Sequence, residues 1–134
     1  MRDAVARSWT KVPAVSEDSV DLLQAAIGVE LPIEYLELLR FSNGGEGPLP
    51  EPYCVFCLDQ AEYACRPENV HLYPGWFVFG GNGGIELFAL DLTGTPPWPV
   101  LAFDGIDPEG SVRRVADDFG KFLELVDASG IRGN

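Results

Sequence analysis

The sequence predicts an α+β domain: an antiparallel sheet of about four to six strands, flanked by N-terminal helices and closed by a C-terminal helix. Three observations lead there. Apolar residues at helical spacing occupy residues 16–42 and 117–126, whereas the stretch between consists of short β-rich runs bounded by Gly and Pro. Strands grouped between helices, without βαβ alternation, pair antiparallel. Two of the runs are joined only by Gly81-Asn82-Gly83-Gly84, which reads as a hairpin turn.

Each element has its own warrant. Residues 1–15 are mixed and end near Pro13, with Trp9 expected to pack on the body. Ser16 suits a helix N-cap, and Glu17 and Asp18 suit the first turn, where carboxylates favour the helix dipole. Val20, Leu23, Ala26 and Ile27 then share one face, and Gly28 stops the helix. A second helix is expected to start with Pro32 in its first position. It places Tyr35, Leu38, Leu39 and Ser42 on one stripe, with Glu34 and Glu37 facing away. Asn43-Gly44-Gly45 lies where that helix must end, and Asn and Gly accept the positive φ of a C-terminal cap. A phosphate-cradling loop needs its glycines before a helix rather than after one, so an anion-binding role is set aside.

Downstream, Tyr53–Leu58 is a strand and residues 59–64 a helical turn. Trp76–Gly80 and Ile85–Leu92 are the two arms of the hairpin. Ile85, Leu87 and Ala89 face one way along the second arm; Glu86, Phe88 and Leu90 face the other. Thr93–Pro99 is a turn, Val100–Phe103 a strand, Asp104–Gly110 an acidic loop and Ser111–Val115 a last strand. Asp117 is the expected cap of a final helix with the stripe Phe119, Phe122, Leu123 and Val126, ending before Gly130.

Length and composition narrow the function. A chain of 134 residues with 46% apolar content fits one domain over 1–134, with its core at about 16–126. Such a domain buries about two-thirds of its unfolded surface. The formal charge is -12, and it is unevenly spread. Between Phe41 and Val112 stand ten carboxylates against one cation, Arg66. That surface repels phosphate backbones, so direct nucleic-acid binding is disfavoured, and it attracts basic partners. No apolar run approaches the roughly 18 residues of a membrane span. The first seven residues show no secretory signal, and three cysteines do not make a disulfide framework, so a cytoplasmic setting is expected.

Candidate chemistry is sparse. Cys54, Cys57, Cys65 and His71 have the ligand types of a zinc site. However, Val55 and Phe56 place the first pair along a strand instead of in the turn a zinc knuckle needs, and buried cysteine commonly serves as a small hydrophobe. His71, the only histidine, has no recognisable nucleophile nearby in sequence. Gly80–Gly84 precedes a strand, whereas a dinucleotide loop opens a helix. No catalytic, metal or cofactor-binding residue is assigned. The expected partner contacts are Glu46, Glu51, Asp104, Asp107 and Glu109, which read as loop carboxylates flanked by Gly or Pro.

Three segments together resemble the SUKH superfamily of immunity proteins. Leu31-Pro32-Ile33-Glu34-Tyr35-Leu36-Glu37-Leu38-Leu39 followed by Asn43-Gly44-Gly45 is similar to its opening signature. Phe79–Gly84 followed by Phe88-Ala89-Leu90-Asp91 resembles its central hairpin. Val100–Phe103, then Val115–Leu123, resembles its last strands and closing helix. The resemblance covers about Ser16 to Val126. It implies an α+β fold, no enzymatic activity and no cofactor. Many members bind and neutralise a polymorphic toxin domain, often a nuclease or deaminase, and others are regulatory scaffold domains with a cellular protein partner. The resemblance thus implies a cytoplasmic immunity protein that covers a basic toxin cleft with an acidic surface, or alternatively a regulatory scaffold. No contact residue carries over by motif.

Overall fold

A computed structural model describes residues 3–132. The elements follow as α1 (Asp3–Ser8), α2 (Glu17–Ile27), α3 (Ile33–Phe41), β1 (Glu46–Pro48), β2 (Val55–Leu58), α4 (Ala61–Ala64), α5 (Pro67–Val70), β3 (Trp76–Gly81), β4 (Glu86–Asp91), β5 (Val100–Asp104), α6 (Pro108–Ser111), β6 (Arg113–Ala116) and α7 (Phe119–Arg132). Among the described residues, six strands form one antiparallel sheet in the order β1-β2-β3-β4-β5-β6, a meander in sequence order. The fold is α+β, as the grouping of strands predicts.

Helix ends follow local chemistry with informative departures. Ser16 caps α2, its side chain accepting from the Ser19 N–H, and Gly28 ends the helix at φ 83°. Val20 and Leu23 are buried and Ile27 is half-buried, but Ala26 is exposed. Pro32 sits at the cap of α3, one position before the expected one. Its stripe of Tyr35, Leu38, Leu39 and Ser42 is fully buried.

The end of α3 corrects a sequence expectation. The cap residue is Ser42 in an extended conformation, φ -153°, not a left-handed Asn or Gly. Its buried hydroxyl donates to the Gly44 carbonyl at 2.8 Å and accepts from the Val12 N–H at 3.0 Å. The turn comes later, where Gly44 and Gly45 have φ 119° and 85°. A Cβ at Gly45 would strike the Thr10 carbonyl and come within 2.8 Å of the Trp9 indole nitrogen, so the site demands glycine sterically as well as conformationally. The glycines let the chain pass beneath Trp9 and start β1 at Glu46, where a Thr10 bridge covers the sheet edge.

At the other end, α7 is capped by Asp118, whose carboxylate accepts from the Lys121 N–H at 2.8 Å. Asp117, the expected cap, instead pairs with Arg114. The helix also runs on through Gly130 to Arg132. One glycine costs a helix only about 1 kcal/mol, too little to stop it alone.

The core lies between the inner sheet face and helices α1, α3 and α7, and it is aromatic. Phe56 on β2, Phe79 on β3, Phe88 on β4 and Phe122 on α7 meet with centroids 5.0–6.0 Å apart. Trp9 packs on Phe56 at 5.5 Å, as expected of it. The opposite face is also covered. Ala89, Leu101 and Phe103 are buried outside the main core cluster, and Phe103 stacks against Tyr73 at 4.9 Å and Trp76 at 5.0 Å. Burial on both faces explains why β5 is a continuous apolar run.

Candidate functional site: an acidic groove on the outer sheet face

Alternation along β2, β3 and β4 turns Phe56, Phe79 and Phe88 to the core and leaves Cys57, Val78 and Leu87 on the outer face. The segment from Asp59 to Pro74 carries α4 and α5 over this face without covering it. A groove of about 340 Å³ remains, with Val78 and Leu87 on its floor and Asp59, Tyr63, Leu72 and Tyr73 around it. Glycines 80, 81, 83 and 84 present only backbone to it. A second hollow of about 420 Å³ shares Leu72 and Tyr73 and continues to Trp76, Asp107 and Glu109. The two hollows adjoin at Leu72 and Tyr73 and together make up the furrow.

Two features mark this furrow. Among the described residues six large hydrophobics are exposed; of these Tyr63 and Leu72 line the furrow, and Ile85 and Ile106 adjoin lining residues in sequence. Grouped exposure of that kind marks interaction surfaces. The furrow's charged lining residues are Asp59, Glu86, Asp107 and Glu109, with no Lys, Arg or His among them.

The walls are held by groups already met. The Asn43 amide oxygen accepts from the Ala61 N–H at 2.8 Å, capping α4, and its NH2 donates to Glu62 at 2.7 Å. That bond, with help from Ser19, holds the Glu62 carboxyl below its ordinary range. Asn43-Gly44-Gly45 therefore buttresses the helix that carries Tyr63. Asp59 follows β2 directly, its N–H donating to the Phe79 carbonyl at 2.9 Å. Burial pushes its carboxyl up to about 6. Behind it the Tyr35 hydroxyl is buried without a hydrogen-bond partner, and burial followed by the Asp59 and Cys65 charges pushes it upward.

The five carboxylates expected from sequence are not brought together. Asp107 and Glu109 line the furrow, but in α6, an element that replaces part of the expected loop. Glu46 opens edge strand β1, paired with Cys57 and bridged to Thr10, so it is not a loop residue. Asp104 closes β5, half-buried, and its carboxylate accepts from the Ile106 N–H at 2.8 Å. Three strands separate it from Glu46. Glu51 is exposed in the turn after β1. Sequence reasoning counted Asp59 only as one of ten carboxylates and did not single out Tyr63, Leu72 or Tyr73. Their one signal is large apolar residues on a helix of four residues, Tyr63 in α4, or in the connection that follows α5, Leu72 and Tyr73, where too little regular structure surrounds them to bury them.

The cysteines are dispersed in role. Cys54 is exposed at φ 72°, Cys57 lies in β2, Cys65 ends α4 and His71 ends α5. Burial, with the Glu46 and Asp59 charges adding, pushes the Cys57 thiol up, the opposite of what a thiolate ligand or nucleophile requires. Among the described residues no three His, Cys, Asp or Glu side chains converge as a metal site, and no helix is long and apolar enough to cross a membrane.

A curled antiparallel meander wrapped on a closing helix, with an acidic furrow on its outer face, defines an α+β domain. The SMI1/KNR4 family (SUKH-1) matches residues 14–125, and the chain belongs to that family. Its members are generally non-catalytic immunity and regulatory domains that act through protein partners. No curated protein is similar enough to the chain to count as a relative.

Proposed function

We propose that the protein is a bacterial immunity protein that binds a cognate polymorphic toxin domain, a nuclease, and neutralises it by occlusion in the cytoplasm. The observation that carries this reading is the charge of the furrow: four lining carboxylates around an apolar floor, with no cation in the described lining and one of the four, Glu86, paired with Arg113. A nuclease cleft is basic because it must hold phosphates, and an acidic surface competes for the same charges. Membership in the SUKH-1 family supports a protein partner. Occlusion needs no chemistry from the immunity protein.

The test is an inhibition titration. Nuclease toxin domains encoded beside the gene are mixed with the protein, and DNA or RNA cleavage is followed. The expected result is loss of cleavage complete at a one-to-one ratio, relieved by the double charge reversal Asp107→Lys and Glu109→Lys. Full cleavage by every such toxin in the presence of excess protein would reject the reading in favour of a regulatory scaffold domain.

A further inference from the structure

Asp59 differs from the other furrow carboxylates. Glu86 is ion-paired with Arg113 through Oε1, although its Oε2 is buried without a partner. Asp107 caps α6 through the Gly110 N–H at 3.2 Å. Glu109 is exposed and hydrated. Asp59 is half-buried, and among the described residues no side chain or backbone donor pairs with its carboxylate. Its surroundings make the omission costly: Ala64, Val78 and Leu87 are apolar, the glycines offer little polar side-chain surface, and the neighbouring Tyr35 hydroxyl is itself unpartnered. A carboxylate taken partly out of water and given no partner destabilises the fold that carries it. Burial alone, with no offsetting cation or donor, accounts for its raised carboxyl.

We infer that the groove between α4–α5 and the outer sheet face is an anchor pocket for one arginine side chain of a protein partner, the guanidinium pairing with the Asp59 carboxylate. Three features select this occupant. The unpaired charge is negative and the lining holds no cation to satisfy it. The Arg66 guanidinium already lies over the Tyr63 ring, 5.4 Å from its centroid, so this wall of the groove accepts a planar cation, a surface that an ammonium exploits less well. The apolar floor of Val78 and Leu87 suits the methylene stem of a long side chain. A volume of about 340 Å³ admits one such side chain and not a folded segment.

The inference rests on the reading that the partner is basic, but its test needs no toxin. The full-length protein is titrated with N-acetyl-arginine methylamide, with the neutral isostere N-acetyl-citrulline methylamide as control, and backbone amide shifts are followed by NMR at pH 7.5. The expected result is saturable shifts confined to Asp59, Tyr63, Leu72, Val78 and Leu87, with citrulline binding at least about tenfold more weakly. Asp59→Asn, which keeps the shape and the backbone bond to Phe79, abolishes the difference between the two probes. Equal response to arginine and citrulline, arginine shifts unchanged in Asp59→Asn, or shifts centred on Glu46 and Glu51 would each overturn the inference. Arginine capture in the groove alongside uninhibited toxins would sink the immunity reading and leave the pocket standing. Toxin inhibited equally by Asp59→Asn would do the reverse.

Discussion

Asp59→Asn is expected to stabilise the free protein at neutral pH. The carboxyl sits at about 6 in the folded protein against an ordinary value of 3.8, and burial is the cause. A carboxyl raised by folding stabilises the native state only when protonated. Its relative contribution is fully present below 3.8 and lost as the pH rises through 6. Above pH 7 the ionised group costs at most about 3 kcal/mol, which asparagine does not incur. The gain from the substitution therefore falls to about 1 kcal/mol at pH 4.5 and vanishes in stronger acid. Urea unfolding followed by tryptophan fluorescence, in wild type and variant at pH 8 and pH 4.5, measures the difference directly. A variant that is less stable at pH 8, or a gain that does not shrink on acidification, would refute the assignment of Asp59 as a desolvated, unpaired carboxylate.

Other substitutions probe the frame that shapes the furrow. Phe56→Ala removes a fully buried ring that meets Trp9, Phe79, Phe88 and Phe122, and thermal melting should show a loss of about 3–5 kcal/mol. Ser42→Ala deletes the hydroxyl that accepts from Val12 and donates to Gly44, which costs about 1–3 kcal/mol in chemical denaturation. Asn43→Ala uncaps α4 at a cost of about 1 kcal/mol. Because α4 carries Tyr63, it should also weaken partner binding measured by calorimetry, whereas Ser42→Ala should not.

Long periodic elements were legible in the sequence and short ones were not. The stripes of α3 and α7, the Ser16 cap, the Gly28 stop and the hairpin through Asn82 are each dictated within a few residues of chain. Helices α1, α5 and α6 and strand β1 span only three to six residues, so propensity alone cannot nucleate them. Tertiary partners hold them: Val5 in the core for α1, Thr10 and β2 for β1. Asn43-Gly44-Gly45 shows the limit well. Its place as a helix boundary follows from residue type, but its buttressing of α4 depends on Ala61 and Glu62, eighteen and nineteen residues downstream.

The furrow was hidden for the same reason. Asp59, Tyr63, Leu72 and Leu87 come from different elements and share no spacing that a linear pattern would register. Of the carboxylates that charge counting selected, Asp107 and Glu109 line the furrow and Glu46, Glu51 and Asp104 lie elsewhere, because exposure of a carboxylate says nothing about what lies beside it. What distinguishes Asp59 is a half-buried carboxylate with no ion pair or hydrogen-bond donor among the described residues, a property only the packed structure possesses.

The most direct test of the account is capture of the partner. Tagged protein is drawn from its native cells, washed at low and then raised salt, and each released protein is assayed for nuclease activity free and recombined with the tagged protein. The account predicts a basic toxin domain that dissociates as salt rises and whose activity is lost on recombination. A partner that stays bound through high salt, or a released protein with no activity to suppress, would contradict it.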